Sequence, residues 1–135
     1  MGTVLITIAK RDRDRSSLVE VAREFIKLGF KIRASAGTHA FLASYDIVSE
    51  PILKEHEGRP NITDAIKNKE IQLVINTPSG KLSEHDDSYL RKAAIKYKVP
   101  YITTLTAAIA AAKGISAYCL GKSAVKSIQQ YHATR

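Results

Sequence analysis

The stretch "FKIRASAGTHAFLAS", Phe30 to Ser44, decides the fold. Phe30–Ser35 reads as a strand, and the residues after Gly37-Thr38 read as a short helix reaching about Ser44. Gly37 supplies a backbone that can turn tightly and come close to a ligand. Thr38 is placed as the N-cap of the helix. The free N–H groups behind it face the turn, together with the positive end of the helix dipole. A strand that runs straight into a helix is half of a βα unit.

The rest of the chain repeats that unit. "TVLITIA", Thr3–Ala9, is β-branched and apolar on both faces, as a buried parallel strand requires. A helix follows, with Leu18, Val21, Ala22, Phe25 and Ile26 on one face, a capping box from Ser17 to Glu20, and Gly29 at its end. Past the opening stretch come a weak strand near Ile47–Lys54, kinked by Pro51, and a polar loop, Glu55–Asn61. Asn61 then caps a third helix with Asp64 in its first turn. "IQLVIN", Ile71–Asn76, is a central strand broken by "TPSGK". A fourth helix runs from about Asp86 to Tyr97, burying Leu90, Ala93, Ala94 and Tyr97. "VPYIT", Val99–Thr103, is a short strand, "TLTAAIAAAK" a fifth helix stopped by Gly114, and "AVKSIQQYH" a last one. Strict alternation predicts an α/β fold: a three-layer sandwich with a mostly parallel five-stranded sheet, in one domain over residues 1–135.

Composition narrows the function. With 44% hydrophobic and 25% charged residues the chain is an ordinary globular one. No apolar run approaches the roughly 20 residues of a membrane span, and "MGTVLITIAKR" lacks the features of a signal peptide. One cysteine, Cys119, makes no internal disulfide and no metal cluster, in keeping with a cytoplasmic protein. The net charge of +8 invites an anionic partner. Nucleic acid is disfavoured, because "KRDRDR" alternates in sign and no aromatic residues interleave with its bases.

In a parallel α/β sheet, ligands collect at the carboxyl ends of the strands. That rule selects the loops at Lys10–Arg15, Ser35–Thr38, Lys54–Arg59, Asn76–Lys81 and Thr103–Thr104. A phosphate at the Gly37-Thr38 turn would accept from the Ser35 and Thr38 hydroxyls and from backbone N–H groups. Arg15 and Lys54 lie at the predicted ends of adjacent strands, and Asn76-Thr77 end the next.

"HEGRPNITDAIKNKEIQLVINTPSGK", "DDSYLRKAAIKYKVPYITTLTAAIAA" and the tail "VKSIQQYH" closely resemble the C-terminal regulatory domain of the large subunit of bacterial carbamoyl-phosphate synthase. The resemblance extends from about Thr3 to His132. It implies a methylglyoxal-synthase-like fold acting as an allosteric module that receives UMP or IMP, inside an enzyme of arginine and pyrimidine biosynthesis. Carried over by position, the family's phosphate and ribose contacts are Arg15, Ser35, Gly37, Thr38, Lys54 and Asn76, with Thr77 adjacent. Thr103 matches a contact to an ornithine site shared with preceding domains. The implied parent uses ATP and Mg and works with a glutaminase small subunit, whereas this domain implies no cofactor of its own. The best-known relatives have Lys in place of Arg15, a Thr-His-Gly-Thr run in place of Ser35–Thr38, and in some cases a hydroxyl in place of Pro78. The charge and both hydroxyls of the phosphate grip are kept.

The alternative is a small phosphate-eliminating enzyme of the methylglyoxal synthase type. That chemistry needs a carboxylate base beside the substrate carbon, and the synthase's Gly-Gly-Asp-Gln-Gln-like motif is missing here. Asp64 and Asp86-Asp87 are explained by dipole compensation at helix starts. "EHDD", Glu84–Asp87, has no second His at ligand spacing and reads as an acidic helix start. His56 reads as a hydrogen-bonding loop residue, and Tyr89, Tyr97 and Tyr101 read as packing residues. Arg59 faces either the site or a neighbouring domain. No ATP-grasp or glutaminase residues are present, so synthesis of carbamoyl phosphate is expected to belong to other parts of the parent protein.

Overall fold

A computed structural model describes residues 2–8, 15–54, 57–77 and 84–118. Its elements run β1 (Thr3–Thr7), α1 (Arg15–Lys27), β2 (Lys31–Ala34), α2 (Ala36–Ala43), β3 (Glu50–Pro51), α3 (Ile62–Lys67), β4 (Leu73–Asn76), α4 (Glu84–Lys96) and β5 (Tyr101–Ile102). A last described helix, α5, covers residues 105–118. The strands form one sheet in the order β3-β2-β1-β4-β5, with every pairing parallel. The sandwich expected from the alternation is therefore the observed architecture.

Side-chain alternation along the strands sorts the helices into two layers. Val4, Ile6 and Ile8 join Leu73 and Ile75 against α1, α2 and α5, through Leu18, Phe25, Leu42, Ala108 and Ala112. Leu5 and Val74 point the other way, against Ile62 and Ile66 of α3 and Leu90 and Ala93 of α4. Both faces of β1 and β4 are thus buried. That is why their sequences are apolar throughout rather than alternating.

Gly29 ends α1 as expected. Its φ is +91°, and the N–H of Phe30 reaches back to the Phe25 carbonyl at 3.0 Å. Three other helices end the same way on residues that are not glycine, Asp46, Lys69 and Lys98, with φ near +60°.

Several boundaries differ from expectation. α1 begins at Arg15, which puts Ser17 inside the first turn and removes it as the cap. β3 shrinks to Glu50–Pro51 plus an isolated bridge from Leu53 to Asn61. Pro51 has no N–H to extend a ladder, so the edge stays short. Gly114 does not stop α5, which runs on to residue 118. An alanine-rich helix absorbs the roughly 1 kcal/mol that one glycine costs. The expected final helix, Ala124 to His132, lies outside the described residues.

Candidate functional site at the strand carboxyl ends

The strand order reverses at β1: the chain proceeds to β2 and β3 on one side and to β4 and β5 on the other. Such a switch point opens a crevice beyond the carboxyl ends of the two central strands. The described residues include six buried polar ones: Thr7, Ser35, Thr38, Asn61, Asn76 and Thr77. Asn61 caps α3, and its capping box with Asp64 is complete. The other five stand at or just past the ends of β1, β2 and β4, around the switch point.

Register aligns them. Ile6 pairs with Ala34 and Thr7 with Asn76, and Ile75 pairs with Ile102. Ser35, one step beyond Ala34, and Thr103, one step beyond Ile102, therefore fall in a single row with the Thr7–Asn76 pair across β2, β1, β4 and β5. Thr77 continues from Asn76, and its N–H donates to the Thr7 carbonyl at 3.1 Å. Thr103 is exposed at the β5 edge, while Lys54 follows β3 at the opposite edge. Arg15 opens α1, and its side chain lies outside the described part of the structure.

The Gly37-Thr38 turn is built differently from its sequence reading. Ser35 is the N-cap of α2, in an extended conformation, and its side chain makes no capping bond to the backbone. Gly37 is the second residue of the helix and does not enter the positive-φ region. Thr38 is one residue further in and fully buried. Its Oγ1 accepts the Ile8 N–H at 3.0 Å and the Ser35 hydroxyl at 3.2 Å, and donates to the Ile8 carbonyl at 3.4 Å. Thr38 is therefore a tertiary staple to the end of β1, and not a cap. The first-turn N–H groups of α2 receive no side-chain cap from Ser35, which leaves them aimed at the rim with the positive end of the dipole.

Three residues that sequence reasoning did not assign to the site belong to this rim. Thr7 donates its hydroxyl to Asn76 Oδ1 at 2.5 Å, and Asn76 Nδ2 donates to the Tyr101 hydroxyl at 2.7 Å. The third is Ile8, through its backbone. A threonine closing the apolar run "TVLIT" was the one available signal for Thr7. Tyr101 packs against the α3–α4 face, as its spacing suggested, yet its hydroxyl reaches the rim.

The remaining candidates are accounted for. Arg59 donates to both oxygens of Asp64, at 2.6 and 3.2 Å. That pairing, followed by the Asn61 N–H at 3.0 Å, holds the Asp64 carboxyl below its ordinary range. The Lys54 ammonium has no partner among the described residues, while its N–H donates to Glu57. No three His, Cys, Asp or Glu converge as a metal cluster among the described residues. The side chains of Glu84–Asp87, and all of His56 and Pro78, lie outside them. No helix of the described residues is long and apolar enough to cross a membrane. A separate groove of about 350 Å³ opens at the other end of the sheet, lined by Ile26, Phe30, Ile32 and Val48.

A five-stranded, all-parallel sheet between two layers of helices defines a three-layer α/β domain. The family model for the MGS-like domain matches residues 17–103, and the chain belongs to that family. Its relatives are more particular: the carbamoyl phosphate synthase large chain of Archaeoglobus fulgidus is 47% identical over 131 residues, covering 97% of this chain and 12% of the relative. The large chain from Nostoc sp. is 45% identical, covering 96% of this chain and 12% of its own length. The C-terminal section of the large chain from Aquifex aeolicus is 46% identical over 84% of this chain and 21% of that relative. The chain thus corresponds to a small part of much longer proteins.

Proposed function

We propose that this chain is the allosteric effector-binding module of a carbamoyl-phosphate synthase large subunit. It takes a nucleoside monophosphate, of the UMP or IMP type, at the carboxyl ends of its strands. The observation that supports this reading is the gathering, around the switch point, of five of the six buried polar residues among those described. The uncapped first turn of α2 offers N–H donors to a phosphate, and Ser35, Asn76 and Thr77 border the same crevice.

Spacing favours an extended ligand over a lone phosphate. Lys54 follows β3 and Asn76 ends β4, strands three places apart in the sheet, about 14 Å at the usual strand separation. A nucleotide helped by a long lysine can bridge such a gap, and inorganic phosphate cannot. Thr103, at the far edge, is then a contact to the rest of the synthetase and to an ornithine-linked site, not to the same phosphate. The neighbouring synthetase domains, and through them the glutaminase subunit, would receive the signal.

Phosphate elimination is disfavoured as the chain's own activity, because Asp64 is committed to Arg59 and to the Asn61 backbone. A free, poised base is what that chemistry demands. Calorimetric titration of the chain with UMP, IMP and inorganic phosphate at physiological salt tests the proposal. Saturable binding of a nucleotide, tighter than phosphate, is expected. Equal affinity for all three, or none, would overturn it, as would steady release of methylglyoxal from dihydroxyacetone phosphate.

A further inference from the structure

We propose that Glu57 is a positioning residue for Lys54. Its carboxylate holds the Lys54 backbone and so fixes the root from which the lysine ammonium reaches an anionic effector. The inference rests on the effector reading for its ligand but not for its geometry.

Lys54 lies where the sheet stops holding the chain. β2 and β3 pair through Arg33–Glu50 and Ala34–Pro51, and past that ladder the Ile62 N–H donates to the Leu53 carbonyl at 2.8 Å. Lys54 is bonded to Glu57 instead. Its N–H donates to Glu57 Oε1 at 2.7 Å, and the Glu57 N–H donates to the Lys54 carbonyl at 3.0 Å. A backbone N–H only donates and an ionised carboxylate only accepts, so the direction of these bonds is fixed. A glutamate reaching back three residues to a backbone N–H is one half of a capping box, and lysine has no side-chain acceptor to supply the other half.

Glu57 is itself anchored. The carbonyl of the next residue, Gly58, accepts from Asn61 Nδ2 at 3.0 Å, while Asn61 Oδ1 accepts the Asp64 N–H at 3.2 Å. That backbone donor decides which end of the Asn61 amide faces Gly58. Lys54 is therefore placed against the capped start of α3, and not by the ladder of β3.

The consequence is for binding. Lysine carries its charge on a long, flexible stem, and a stem with a mobile root loses more freedom when a ligand orders it. Glu57 also brings a negative charge close to Lys54, which opposes an anionic ligand, so a fair comparison is between variants of equal charge. Glu57→Gln and Glu57→Ala are both neutral, and only Gln keeps an acceptor for the Lys54 N–H.

The test uses the full chain and UMP. Glu57→Ala should bind UMP roughly 3- to 10-fold more weakly than Glu57→Gln, the worth of one hydrogen bond. In a Lys54→Ala background that difference should vanish, because the group being positioned is gone. In ligand-free, ¹⁵N-labelled protein the backbone order parameter of Lys54 should match the wild type in Glu57→Gln and fall in Glu57→Ala. Equal affinity in the two neutral variants, or a difference that persists without the Lys54 ammonium, would overturn the positioning role. If the wild type binds no nucleotide, the effector reading fails, and the Lys54 order parameter still decides the geometry: equal values in both variants refute the hold of Glu57 on the backbone.

Discussion

The Thr38 hydroxyl accepts the N–H of Ile8 at 3.0 Å, so the first turn of α2 is fastened to the end of β1 across thirty positions of sequence. Both residues are buried. The bond fixes the relative placement of the two elements whose ends form one wall of the crevice.

Thr38→Val keeps the volume and strands that N–H, at a cost of about 1–3 kcal/mol. Urea unfolding should show the loss, and Thr38→Ser should recover most of it. Wild-type stability in Thr38→Val would mean that the staple does not hold the crevice together.

Lys54 has no side-chain partner among the described residues and follows β3 at the edge of the sheet. Lys54→Ala should leave the urea midpoint nearly unchanged, because a half-exposed, unpaired lysine stabilises little. It should nonetheless weaken nucleotide binding by roughly 1.5–3 kcal/mol, the worth of a charge-assisted contact. Calorimetry on the pair of proteins separates the two effects, and unchanged affinity would remove Lys54 from the site.

Asp64 gives the fold a defined acid response. Its folded-state pKa is depressed, chiefly by the Arg59 side chain and then by the Asn61 N–H. Its contribution is therefore present above the unfolded carboxylate's pKa, near 3.9, and is lost as pH falls through the lower folded value. Asp64→Asn should be less stable than wild type at neutral pH, with the gap closing in acid. Denaturation midpoints from pH 7 down to pH 2 would show this, and a constant gap would contradict it.

Gly114 lies inside α5, and a Cβ built there meets nothing within 4 Å. Gly114→Ala should stabilise the protein by up to about 1 kcal/mol through helix propensity alone. A loss of stability would mean that this position is not helical.

Most of the architecture could be read from the chain because its causes are local. Strands apolar on both faces and helices with a 3.6-residue stripe alternate, and Asn61 with Asp64 three residues on spells a capping box. The errors arise where tertiary contacts or competing propensities decide. Ser17 also sits three residues before a glutamate, yet α1 starts earlier, at Arg15. Thr38 looked like a cap because it follows a glycine; its actual partner, Ile8, lies just past the end of β1. The rim residues Ser35, Thr38, Asn76 and Thr77 were found through strand-end logic and family resemblance. Thr7 and Tyr101 were missed, since their roles come from register and reach across neighbouring strands.

The central claim is that a nucleoside monophosphate binds at the strand carboxyl ends, and amide chemical-shift mapping during titration with UMP tests it most directly. The largest shifts should fall on Ile8, Ser35 to Thr38, and Asn76 to Thr77, saturating together with the calorimetric isotherm. Shifts centred instead on Ile26, Phe30 and Val48, at the opposite end of the sheet, or no shifts at all, would contradict it.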